Sequence, residues 1–163
     1  MKQENIASVV DDLKKAKTKT ERATILRDND CPALRGLLRM NFDITLVLAL
    51  PEGAPPYKKN KSPFGFTKTT LRASVRGWKF FVKELSPELK QHKREHMFIG
   101  LLEGLNEKEA SVLLDAKDRK LDLGVTRKLI DEVFPNLIKS EAKTNVKKES
   151  SPKSTDTGNS QSS

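Results

Sequence analysis

The sequence predicts an all-α domain followed by a C-terminal tail, and three observations carry that reading. Apolar residues recur at spacings of three and four along most of residues 4–134. The densest Pro and Gly punctuation, Pro51-Glu-Gly-Ala-Pro-Pro56, falls between two periodic stretches and reads as a loop. From Ser140 onward the chain turns to Ser, Lys and Thr, with Val146 its only large aliphatic residue. Such a segment cannot bury enough apolar surface to offset the entropy of ordering. We therefore expect a helical domain over residues 1–139 and a disordered Ser/Lys-rich tail over residues 140–163.

Each element has its own signal. Residues 4–17 place Ile6, Val9, Val10 and Leu13 on one helix face. Thr20 suits the cap of a second helix carrying Ala23, Ile25 and Leu26. Pro32 fits the first turn of a third, with Leu34, Leu37 and Leu38 inward. Residues 43–50 stay open: Asp43 caps a short buried helix, or Thr45-Leu-Val-Leu48 forms one short extended segment. A helix is expected over about 67–85, where Leu71, Val75, Trp78, Val82 and Leu85 fall within about 80° of arc at ~100° per residue. Ser86-Pro87 reads as its end and the next cap, with that next helix running to about Leu102 and closed by Gly104. Asn106 with Glu109 resembles a capping box for a helix holding Ala110, Leu113 and Leu114. Thr126 opens a last short helix after Gly124, with Leu129, Ile130, Val133 and Phe134, and Pro135 ends it.

Composition narrows the function. The longest apolar run, Ile44–Leu50, is far short of the ~20 residues a membrane span needs. The N-terminal residues alternate charged and apolar side chains, unlike a secretory signal. Cys31 is the only cysteine, so neither an internal disulfide nor a thiolate metal cluster is available. It precedes Pro32 and reads as a structural thiol. These features point to an intracellular protein with no membrane partner. The net charge is +9, and residues 57–95 hold eleven Lys/Arg against three Glu, a local net of +8. A basic concentration of this kind attracts polyanions or an acidic protein surface.

The candidate binding residues follow from that concentration. On the expected helix, Lys68, Arg72, Arg76, Lys79 and Lys83 make a second stripe about 100° around from the apolar one. The preceding loop adds Lys58, Lys59 and Lys61, and the following helix adds Lys93 and Arg94. Phe80 is expected opposite the apolar stripe, where an exposed ring stacks on an unpaired base or anchors a partner protein. The competing reading is a solvated face whose Lys and Arg stems cover the core edge.

Catalytic signals are sparse. His92-Lys-Arg-Glu-His96 spells the H-x-x-E-H zinc string, with both histidines on one helix face. Two cations stand inside it, and Glu132 is a poor third ligand on a short terminal helix, so we assign no metal, no cofactor and no catalytic residue. No phosphate-cradling glycine motif occurs. Asp115 and Asp118 sit among Lys117, Arg119 and Lys120 and read as a paired surface.

Two stretches carry a family resemblance. Leu37-Leu-Arg-Met-Asn-Phe-Asp43 is followed by Leu50-Pro-Glu-Gly-Ala-Pro-Pro-Tyr57. Arg94-Glu-His-Met-Phe-Ile-Gly-Leu-Leu-Glu103 is followed by Ala110 to Lys120 and Gly124-Val-Thr-Arg-Lys-Leu-Ile-Asp-Glu-Val-Phe-Pro135. Over roughly residues 30–137 the chain resembles a family of small uncharacterised proteins of T-even-like tailed bacteriophages, cyanophage type. The resemblance implies a phage protein acting in the bacterial cytoplasm or carried in the particle, and transfers no functional residue. The expected function is a small basic accessory protein, non-enzymatic, that binds nucleic acid through a basic helix and loop. The alternative is an adaptor that attaches to replication or transcription machinery or to the particle. The sequence leaves the oligomeric state open.

Overall fold

The computed structural model describes residues 5–139, and the tail expected over 140–163 lies outside the described residues. The architecture is all-α, with no strand among the described residues. Helix α1 spans Ile6–Lys15, α2 Lys19–Asp28 and α3 Pro32–Phe42. A short α4, Leu71–Ser74, continues into 3-10 turns at Val75–Phe81 and Lys83–Leu85. Then come α5 (Gln91–Gly104), α6 (Glu107–Lys117) and α7 (Arg127–Val133).

The first three helices begin where polar side chains satisfy their free N–H groups. The Asn5 side chain accepts from the Ser8 N–H at 2.7 Å. Thr18, not Thr20, caps α2: its hydroxyl accepts from the Glu21 N–H, and Glu21 reaches back to the Thr18 N–H. That reciprocal pairing leaves Thr20 on an exposed face of the first turn. Pro32 opens α3 as expected, and the Cys31 sulfur accepts from the Leu34 N–H at 3.5 Å.

Helix α6 is the hub. It packs against α1, α3 and α5, and its Ala110, Leu113 and Ala116 are fully buried. Burying a leucine of this kind stabilises by about 1.5–3 kcal/mol. Glu109 sits in the first turn of α6 and is also fully buried. It does not close a capping box. Its two carboxylate oxygens accept from the Ile6 N–H (3.1 Å) and the Leu71 N–H (3.0 Å), the first residues of α1 and α4. One side chain thereby joins three helix starts.

The expected helix over 67–85 does not form as one α-helix. After Ser74 the backbone tightens, and in a 3-10 turn residues three apart eclipse. Val75, Trp78 and Phe81 therefore share the inner side, with Trp78 and Phe81 buried. Phe81 meets Phe98 of α5 edge-to-face at 5.2 Å. At the end of this segment two backbone carbonyls are engaged elsewhere. Phe80 C=O accepts from the Arg94 guanidinium at 2.9 Å, and Phe81 C=O accepts from the Ala49 N–H at 2.8 Å. These bonds stand where an α-helix would pair Glu84 and Leu85, at the end of the segment. Leu85, expected inward, is 62% exposed.

Residues 43–50 form neither a helix nor a strand. Asp43 ends α3, and only an isolated antiparallel bridge, Leu48 to Val82, follows. Ser86-Pro87 does not cap α5, which starts from Lys90 without a side-chain cap. Gly36 explains how α3 approaches the 3-10 segment: a Cβ there would lie 2.7 Å from the Trp78 ring.

Candidate nucleic-acid interface

The loop before α4 wraps the corner where α5 ends and α6 begins. An α-helix leaves its last carbonyls without intrahelical partners. Here the Asn60 amide donates to Glu103 C=O (3.1 Å) and the Thr69 N–H donates to Gly104 C=O (3.0 Å). In return the Glu107 N–H, at the first residue of α6, donates to Asn60 C=O at 2.9 Å. Asn106, the cap of α6, donates to Ser62 C=O at 2.8 Å. The loop is therefore held at both ends of its path by main-chain groups of the corner.

On this frame Lys58, Lys59 and Lys61 surround a shallow cleft of about 250 Å³ with Asn60 and Glu103. Lys68 lies against Gly104 beside them, its stem 3.5–3.7 Å from where a Cβ on that glycine would stand. All four lysines are exposed, and none joins an ion pair with another described residue. The corner also holds acids. Glu103 accepts from the Lys58 N–H at 2.8 Å, and Glu107 lies near Tyr57. Burial, reinforced by the Glu107 charge, pushes the Tyr57 hydroxyl above its ordinary pKa of 10.0.

Phe66 is the residue that sequence reasoning missed. It sits between Lys61 and Lys68 and is 80% exposed. Pro63 to Phe66 form a turn closed by the Phe66 N–H donating to Pro63 C=O at 3.0 Å, with Gly65 at φ +91°. That is the pattern of a type II turn, which needs positive φ at its third position and so favours glycine. Phe64 packs on the core while Phe66 projects. The Phe-Gly-Phe string among lysines was the available signal.

The other expected residues do not join this corner. Arg72 is half-buried beside Glu109, whose ionised form its charge favours. Arg76, Lys79 and Lys83 are exposed along the 3-10 segment. Lys79 extends over the half-buried Phe80 ring at 5.5 Å, so Phe80 is not the free aromatic expected. Lys93 is exposed near the start of α5. Arg94 leaves the candidate set, because it is only 3% exposed. Its guanidinium donates to Phe80 C=O, Ser86 C=O and the Gln91 side chain at 2.7–2.9 Å. The two basic groups therefore stand at opposite ends of α5, a 14-residue helix about 20 Å long.

His92 and His96 are exposed, and Glu95 accepts from the Gln91 amide. Glu132 pairs with Lys19 on α2. No group of three metal-ligating side chains is gathered among the described residues. No helix of the described residues is long and apolar enough to cross a membrane. Lys117 is buried and donates to Pro51 C=O and to Asp118, while Asp118 accepts from the Gly53 N–H. The Asp118 carboxylate thus fixes the Pro-rich loop, and Asp115 stands apart from that pairing as an exposed residue.

A family model described as a family of unknown function (DUF6433) matches residues 9–123. The chain belongs to this family. The DUF6433 match takes in the whole lysine corner, Phe66, Glu109 and Arg94, and stops before α7. No curated protein and no solved structure matches the chain.

Proposed function

We propose that this DUF6433 member is a small, non-enzymatic nucleic-acid-binding protein, and that the corner between α5 and α6 is its contact surface. The observation that carries the reading is the group of four exposed lysines, Lys58, Lys59, Lys61 and Lys68, which join no ion pair with another described residue and stand on a backbone pinned to two helices. Phosphate contacts from such groups supply sequence-independent affinity. A role as a phage accessory protein in the bacterial cytoplasm or in the particle accords with the resemblance in the sequence.

The test is binding of duplex and single-stranded oligonucleotides across a salt series, with circular dichroism as the folding control. The slope of log affinity against log salt should be about −0.9 per neutralised phosphate on duplex and about −0.7 on a single strand. Reversing all four lysines to Glu should abolish binding and leave the helical spectrum intact. A folded reversal variant that binds at full strength sinks the assignment.

An adaptor is the second reading, favoured by an apolar groove of about 340 Å³ between α3 and the 3-10 segment. Met40, Leu46, Trp78 and Leu85 line it, with Arg35, Arg39 and Lys79 also at its walls. Its partner would be an acidic protein surface with an apolar anchor. In the same salt series, a partner retained at high salt after nuclease treatment moves the assignment to this groove.

A further inference from the structure

We infer that the lysine corner takes unpaired bases, with Phe66 as the stacking platform and the neighbouring lysines on the phosphates. The inference rests on the nucleic-acid reading above and narrows it to single strands. Phe66 is the most exposed large apolar side chain among the described residues, at 80% against 62% for the next. It is flanked in sequence by Lys61 and Lys68, and among the described residues it joins no ring pair. The backbone on either side is fixed. Before it, Phe64 is anchored on the core and the Pro63–Phe66 turn is closed. After it, Thr67 Oγ1 donates to Thr69 C=O at 2.9 Å, and the Thr69 N–H donates to Gly104 C=O. The ring is therefore presented to solvent from a hydrogen-bonded backbone.

A duplex offers no face to such a ring, because its bases already stack on one another. A single strand does, and aromatic stacking tolerates any base because each has a π-face. Lysines beside the ring supply the backbone attraction that the ring lacks, the combination used by single-strand grooves. DNA and RNA present the same two groups, so the choice between them is an arm of the experiment.

The experiment measures full-chain binding to labelled oligo-dT, oligo-rU and a mixed-sequence duplex. Three variants are compared: Phe66→Ala, Phe66→Leu and Phe66→Trp. Phe66→Ala should weaken single-strand binding by about 5- to 150-fold, the span of one lost stacked base. Duplex binding and the salt slope should stay unchanged. Phe66→Leu, apolar without a π-face, should behave like alanine. Phe66→Trp should bind at least as well as the natural chain, and its fluorescence should be quenched by the strand, with buried Trp78 as a constant background. Preferential loss for oligo-dT or oligo-rU names the natural strand. If Phe66→Ala or Phe66→Leu binds single strands at full strength, the stacking role is overturned while the lysine assignment stands. If the unaltered chain binds neither strands nor duplex, the underlying nucleic-acid reading fails and takes this one with it.

Discussion

The basic stretches at the two ends of α5 look alike as sequence and differ as structure. At the C-terminal end, the orphan carbonyls of Glu103 and Gly104 are taken by neutral donors, Asn60 and the Thr69 N–H. The lysines around them are left to solvent. At the N-terminal end, the 3-10 segment leaves the carbonyl of Phe80 without a helical partner and a cation satisfies it, while the same cation adds a second donor to Ser86 C=O beside the Leu89 N–H. Arg94 is consumed by that task. The lesson is that a cation is consumed where a nearby backbone carbonyl lacks another donor, while Arg76, Lys79, Lys83 and Lys93 at the same end stay exposed. Arginine suits the first role, since its rigid fork meets several acceptors at once.

The largest effect should come from the segment that Arg94 braces. Trp78 is 5% exposed, lies against Gly36 and donates its indole N–H to Ser74 Oγ at 3.1 Å. Trp78→Ala should cost about 3–5 kcal/mol through cavity formation, read from denaturant unfolding. A loss under 1 kcal/mol, on the order of a surface change, would show that the segment is not part of the core.

Next comes the direct contrast between the two ends. Arg94→Ala removes three charge-assisted bonds and orphans the Phe80 carbonyl, so it should cost about 3 kcal/mol. Single Lys58, Lys59, Lys61 or Lys68→Ala changes should each stay within about 0.5 kcal/mol. Equal losses at both ends would erase the distinction between a structural and an available cation.

Legibility in the sequence followed the same divide. The starts of α3 and α7 were readable because Pro32 and Thr126 carry their own local signals. The apolar faces of α1 and α3 were readable from spacing alone, since Ile6, Val9, Leu13, Leu34 and Leu37 are all buried. The segment after Ser74 was not: its last carbonyls, Phe80 and Phe81, bond to Arg94 and Ala49, partners that no local spacing announces. The role of Glu109 was hidden for a similar reason: its hydrogen-bond partners lie 103 and 38 residues away. The lysine loop was legible as charge, but Phe66 was not legible as exposed. Only the turn at Gly65 separates its fate from that of Phe64.

The smallest expected effect is a difference in pH dependence between two buried carboxylates, Glu109 beside Arg72 and Asp43 at the end of α3. Burial pushes Glu109 above its ordinary 4.5, although the N–H groups of Leu71 and Ile6 and the Arg72 charge pull the other way. Burial also acts to raise Asp43, but the Thr45 hydroxyl, the N–H groups of Lys139 and Thr45, and the Arg39 charge outweigh it and hold it below 3.8. The signs therefore oppose. Folded Glu109 keeps its proton more readily than the unfolded chain does, so its contribution is fully present below pH 4.5 and is lost as pH rises through its folded pKa. The Asp43 contribution is present above pH 3.8 and is lost as pH falls through its own lowered pKa. Urea unfolding over a pH series should show the stability advantage of the natural chain over Glu109→Gln shrinking as pH rises. Its advantage over Asp43→Asn should shrink as pH falls. If the advantage over Asp43→Asn instead shrinks as pH rises, as at Glu109, the two sites do not differ in the way their hydrogen bonds imply. Burial alone would then govern the Asp43 carboxyl, and the bonds from Thr45 and Lys139 would contribute nothing to holding its charge.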